Sequence, residues 1–156
     1  MDYTILILYA TLALGVSFLC SILEAVVLSI PHTQIAMWER NGSRKGKIWA
    51  SLKSDDAVKP LTAILTLNTI AHTMGAAGVG AEVDKVFGHE YLTYASVILT
   101  LLVLFLSEII PKTLGTAYWK QLAKPTGHIL HWITFGLAVF IGPIQMLKSI
   151  LPKGDD

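Results

Sequence analysis

The charges along this chain are spaced in a way that few folds can accommodate. Residues 60–81 contain no Asp, Glu, Lys or Arg, nor do 91–107 or 125–147, and residues 3–30 contain one, Glu24. A helix crossing the hydrocarbon core of a bilayer needs about 20 mostly apolar residues, so three or four stretches are long enough. Only 15% of the 156 residues are charged, against about 25% in soluble domains. This distribution excludes a soluble enzyme, a disordered chain and a nucleic-acid binder, and a net charge of +1 carries no preference for polyanions. The single Cys20 permits neither an intrachain disulfide nor a Cys-based zinc site. The N-terminus starts with Asp2 rather than basic residues, its apolar run is too long, and no small-residue cleavage site follows. It reads as a retained membrane span, not a signal peptide.

The expected fold is an all-α membrane protein of three transmembrane helices plus cytoplasmic-side juxtamembrane helices. The spans fall at about 4–31, ended by Pro31, at 60–82 and at 91–110. Between the first two lie six basic residues, Arg40, Arg44, Lys45, Lys47, Lys53 and Lys59. The connection 82–90 is mostly acidic, and Lys112, Lys120 and Lys124 follow the third span. The positive-inside rule then puts the N-terminus outside and the C-terminus in the cytoplasm. Asn41-Gly42 marks a turn, and Ser43 is placed to cap a juxtamembrane helix over about 44–53. The stretch 125–150 reads as two short helices broken near Gly142-Pro143 on the cytoplasmic face, with a fourth span as the alternative. Residues 1–153 form one transmembrane domain, and 154–156 are a tail. Trp38, Trp49, Trp119 and Trp132 all fall outside the three spans and read as interfacial anchors. Ala76/Gly80 and Ala77/Ala81 are small-xxx-small pairs suited to close helix packing.

Each span carries one polar stripe. Ser17, Ser21 and Glu24 stand at i, i+4 and i+7, as do Asn68, His72 and Gly75, and Glu108, Lys112 and Gly115. That spacing is one face of a helix. Ionisable groups inside a span are costly and need a reason. Pro111 has no N–H, which deprives the Ser107 carbonyl of its helical partner beside Glu108. Hydroxyl, amide, carboxylate and carbonyl oxygens are hard donors suited to Mg²⁺, Ca²⁺ or Na⁺. Each residue also has a plainer reading. The serines can bond their own i−4 carbonyls. Glu24 can serve a helix end or a basic group of 32–59, and Asn68 can join two helices. His72 can be a packing residue, and Glu108–Lys112 an i,i+4 ion pair. Together they read as one ion site centred on Glu108.

The run Ser107-Glu108-Ile109-Ile110-Pro111-Lys112 resembles the E-x-x-P-K motif of the CorC/cyclin-M (CNNM) family. Residues from Ser17 to Ala25 look like that family's S-x-F-F-S-x-x-E-T-A stretch, and Leu67 to His72 are similar to its G-N-x-x-x-N stretch. The resemblance implies a dimeric domain of three spans and a juxtamembrane belt in the cell membrane. It also implies Mg²⁺ transport, specifically export coupled to Na⁺ entry. The metal ligands it implies are Ser17, Ser21, Asn68 and Glu108, with backbone oxygens near Gly75 or at Ser107, before the Pro111 break, as lesser contributors; His72, on the same stripe as Asn68, is a further candidate. A cytosolic CBS-domain pair normally follows. His72 stands where a second Asn is usual, Leu67 replaces a Gly, and Val26 follows Ala25 where Thr-Ala is usual. An imidazole can bind softer divalent ions, so transport of another divalent cation is the alternative. An ion-sensing regulatory scaffold is a further one. No nucleophile–base pair or cofactor motif suggests an enzyme. The expected partners are membrane lipid and a second copy of the chain.

Overall fold

The computed structural model describes the backbone of residues 3–150, and their side chains apart from 144 and 147–150. The tail at 154–156 lies outside the described residues. Eight α-helices account for nearly all of the described residues, with no strand among them. Helix α1, Thr4–Ser29, runs 26 residues and stops where Ile30 turns extended before Pro31. A residue preceding proline is sterically pushed out of the helical region. Pro31 then opens α2, His32–Arg40, a helix that the sequence reading leaves unassigned. Its signal is present in the chain, because Ile35 and Trp38 lie on one face and both pack into the core.

Gly42, at φ +65°, makes the turn into α3, Arg44–Leu52. Ser43 holds the N-cap position without a side-chain cap bond. Gly46 brings the α3 backbone against that of α2: a Cβ there would stand 2.6 Å from the Glu39 nitrogen. The Lys45 ammonium lies 3.6 Å from the centre of the Trp38 ring, a cation–π contact.

Helix α4, Val58–Phe87, is 30 residues long. A short 3₁₀ turn, His89–Tyr91, leads into α5, Leu92–Leu102. The chain continues without a break through a π-helical segment, Val103–Ile109, into α6, Ile110–Ala117. The helical path thus runs past residue 110, the expected end of the third span. The Ile110 N–H reaches back five residues to the Phe105 carbonyl. This wide turn makes room for the Pro111 ring, which lies in the first turn of α6 and has no N–H to offer the preceding turn.

Helices α7, Trp119–Gly136, and α8, Ala138–Ile150, correct the expected break at Gly142-Pro143. The break falls at Leu137, after Gly136, and both Pro125 and Pro143 lie inside helices. Gly136 is the weakest helix former at that point, and the Leu137 N–H closes α7 on Ile133 O at 2.9 Å.

The packed core is at the α2–α3–α7 end. Leu23, Val26 and Val27 of α1 and Ile30 just after it meet Ile35, Trp49, Leu52, Ile64, Ala123 and Leu130 there. Trp49, expected as an interfacial anchor, is 0% exposed and donates its indole N–H to Ala123 O at 2.8 Å. Gly127 leaves room for that ring. Trp38 and Trp119 are partly buried against the core, and Trp132 is 71% exposed, so Trp49 alone of the four is removed from the surface. Lys53 Nζ caps the end of α1 by donating to Ile30 O at 2.5 Å, and burial holds its ammonium below the usual lysine range.

The other end of the molecule is the reverse of a soluble protein. Ile5, Ile7, Leu8 and Leu12 of α1, with Val97, Ile98, Leu101 and Phe105 of the third helical path, face outward. A contiguous apolar surface of this kind marks contact with lipid or another apolar partner. Two segments, Thr4–Ser29 and His89–Ala117, are long and apolar enough to cross a membrane. Helix α4 between them has the length, but Asn68, His72 and several threonines dilute its apolar character.

Candidate ion site

The three polar stripes meet. Helix α1 lies between α4 on one side and the π segment with α6 on the other. Its close approach to both depends on glycines. A methyl on Gly75 would overlap that of Ala13, and one on Gly115 would stand 2.7 Å from that of Ala25. On α4 the α1-facing glycines are Gly75 and Gly78, the latter against the Tyr9 ring. The Ala76/Gly80 and Ala77/Ala81 pairs do not meet α1: Ala76, Ala77 and Ala81 are exposed in the single chain, and a Cβ on Gly80 would meet open space.

Where the helices cross, Ser17, Ser21 and Ser107 are each 0% exposed. Ser17 Oγ lies 2.7 Å from His72 Nε2, linking α1 to α4. Asn68 donates its amide N–H to Glu108 Oε1 at 3.3 Å, linking α4 to the π segment. His72 Nε2 is 3.8 Å from the same oxygen. The other carboxylate oxygen, Glu108 Oε2, is 3.1 Å from Lys112 Nζ, which is also 3.1 Å from Glu24 Oε2. Ser17, Asn68, His72 and Glu108 therefore form one connected group, with Lys112 and Glu24 at its edge. Glu24 finds its partner on α6, not in the basic segment 32–59.

Among the described residues three buried side-chain oxygens have no hydrogen-bond partner: Ser21 Oγ and Asn68 Oδ1 at this crossing, and Thr134 Oγ1 on α7. Ser21 thus does not satisfy its hydroxyl on the carbonyl one turn back. A buried polar atom left unsatisfied costs about 1–3 kcal/mol, so a pair beside a carboxylate is an arrangement with oxygens to spare for a ligand. Ser107 differs: its hydroxyl donates to Leu14 O at 3.0 Å, so the side chain serves helix packing. Its carbonyl still lacks a donor four residues on, because that position is Pro111. Among the described residues no three His, Cys, Asp or Glu side chains gather as a metal cluster. Any ion here depends on hydroxyl, amide and carbonyl oxygens around a single carboxylate.

Cavities approach the group from both halves of α4. One of about 350 Å³ is lined by His72, Ala76, Thr100 and Glu108. Another, of about 220 Å³, is lined by Glu24, Leu61, Ile64 and Asn68. The Asn68–Glu108 bond lies between them, with one partner lining each.

The sequence reading missed the Glu24–Lys112 bridge. The signal was there, since Glu24 closes the stripe on α1 and Lys112 sits mid-stripe on α6. It could not be read without knowing that these two stripes face each other.

Comparison with known proteins bears on this arrangement. Residues 8–153 match the model of the cyclin M transmembrane N-terminal domain. The chain belongs to the cyclin M (CNNM) transmembrane family. The cyclin M domain is also similar to UPF0053 protein sll1254 of Synechocystis sp., with 30% identity over 138 residues, or 88% of this chain. It spans 40% of that relative's length. Membership in a transmembrane family, with two helices apolar enough to cross, points to a membrane location.

Proposed function

We propose that this chain is the membrane domain of a divalent-cation transporter, most directly one that exports Mg²⁺ in exchange for Na⁺. In this reading α1, α4 and the continuous α5–α6 path are three spans, with the N-terminus outside and the C-terminus in the cytoplasm. Helices α2, α3, α7 and α8 form a belt on the cytoplasmic side. The cargo ion sits between the spans, held by Ser17, Ser21, Asn68 and Glu108. Glu108 supplies the formal charge, and the neutral oxygens stand in for water. Mg²⁺ dehydrates reluctantly, so a partly hydrated ion suits this set.

One observation carries the reading. In an otherwise apolar crossing, a carboxylate is bonded into a group drawn from all three helices, beside two buried oxygens with no partner. Alternating access opens a site to one side at a time, and the cavities beside Glu108 and beside Asn68 are the spaces through which an ion would approach it. Family membership supports a cation-transport role, and the outward apolar faces leave room for lipid and a second copy of the chain. His72 favours one variant, in which the cargo is Mn²⁺, Co²⁺ or Zn²⁺, because its ring nitrogen borders Glu108 Oε1.

The test is flux. Proteoliposomes holding the chain should move Mg²⁺ down its gradient, faster against an opposing Na⁺ gradient, and Glu108→Gln should abolish the movement. Mg²⁺ flux in Glu108→Gln equal to wild type would overturn the assignment of the site.

A further inference from the structure

We infer that Lys112 is a tethered competitor of the cargo cation, and that Glu24 is where its ammonium rests when the cation takes Glu108. This rests on the reading of Glu108 as the cargo's carboxylate, and it adds how the ion is made to leave.

The two oxygens of Glu108 face different company. Oε1 takes the Asn68 amide at 3.3 Å and borders His72 at 3.8 Å. Oε2 takes the Lys112 ammonium at 3.1 Å. The same ammonium is 3.1 Å from Glu24 Oε2. An ordinary i,i+4 pair on one helix explains the contact to Glu108 but not the contact to Glu24, which is on α1. Lys112 therefore sits midway between two anions on different helices. Its four-carbon stem is flexible, and its charge is a compact point, so it can give up one carboxylate while keeping the other.

The charges show what this does. Glu24 and Glu108 with a bare divalent ion sum to zero, a stable trap in a low-dielectric site. Adding Lys112 makes the loaded site +1 and the empty one −1. Loading then means prising Glu108 from an ammonium that stays close by, held on Glu24. Release means letting the ammonium return. Lys112 weakens binding and makes unloading possible without bulk water having to replace the cation. Glu24 has the opposite influence: by holding Lys112 aside it favours loading, though it is not a ligand.

Calorimetric titration of the purified chain with Mg²⁺ tests this. Breaking a partly exposed ion pair changes affinity by up to about fivefold, so Lys112→Gln should bind Mg²⁺ about fivefold tighter than wild type. Lys112→Arg, which keeps the charge, should bind no tighter than wild type. Glu24→Gln should weaken binding by about threefold in wild type, yet by less than about twofold in the Lys112→Gln background, because no ammonium remains to be held aside. Weaker or unchanged binding in Lys112→Gln overturns the proposal, provided its thermal melt shows a folded protein. If Lys112→Gln does not fold, Lys112→Arg and Glu24→Gln still decide: tighter binding in either overturns it. A full Glu24→Gln defect that persists in Lys112→Gln makes Glu24 a ligand and also overturns it. Glu108→Gln is run alongside. Undiminished binding there would refute the underlying site, whereas lost binding there with no gain in Lys112→Gln would refute only the competitor.

Discussion

A single methyl added at Gly115 should push α6 off α1. The Cβ of Gly115→Ala would stand 2.7 Å from Ala25 Cβ and 3.0 Å from Ile22 O. Carbon atoms in contact prefer roughly 3.5–4.0 Å, so the helices must part by roughly 1 Å. Overpacking of this kind costs about 1–3 kcal/mol, corresponding to a melting-temperature loss of about 2–12 °C for a chain this size. Replacing Ala25 by Gly removes the worse of the two clashes and leaves the Ile22 carbonyl, which needs to give only a few tenths of an ångström. Ala25→Gly alone costs about 1 kcal/mol in helix propensity. The double variant should therefore be more stable than the sum of the singles predicts, by at least about 1 kcal/mol. The assay is thermal unfolding of the four proteins in one detergent. Additive losses, or a Gly115→Ala protein that melts with wild type, would refute the close α1–α6 approach on which the Glu24–Lys112 bridge depends.

Other expectations follow from single contacts. Trp49→Phe loses the buried bond to Ala123 O and part of the indole's volume in a fully buried site, and should lower stability by at least about 1–2 kcal/mol in the same melt. His72→Asn should cut the preference for Mn²⁺ or Co²⁺ over Mg²⁺ by about tenfold in competitive titration, since it exchanges an imidazole nitrogen for an amide oxygen; an unchanged ratio would remove His72 from selectivity. Lys53 titrates below the ordinary lysine value of about 10.4. Between its folded and unfolded values the unfolded chain binds more protons, so wild-type stability should rise relative to Lys53→Met as pH climbs through the range just below the ordinary lysine value. A gap that is flat across that range would contradict the buried ammonium.

Much of this arrangement can be read from local chemistry. Pro31 ends one helix and starts another because its ring restricts Ile30. The stripes of Ser17, Asn68 and Glu108 are legible because a helix repeats every 3.6 residues. Pairings between elements are harder to read. That Trp49 is core and not anchor depends on Gly127 lying opposite it, 78 residues on, and nothing in either neighbourhood announces the other. The glycines of α4 were legible as a packing face, but which of them meet α1 is set by the helix crossing, which selects Gly75 and Gly78. Gly142-Pro143 reads as a break from propensity alone, yet Pro143, like Pro125, is accommodated within a helix. For the site, the residue types were legible and the Lys112 bridge was not, because a charge's partner depends on which faces are turned together.

In the proposed transport cycle three helices hold one divalent cation on Glu108. The most direct measurement is calorimetric titration of wild type and Glu108→Gln with Mg²⁺, each with and without Na⁺. The account predicts saturable binding to wild type, weakened by Na⁺ and absent in Glu108→Gln. Equal binding by the two proteins would contradict it.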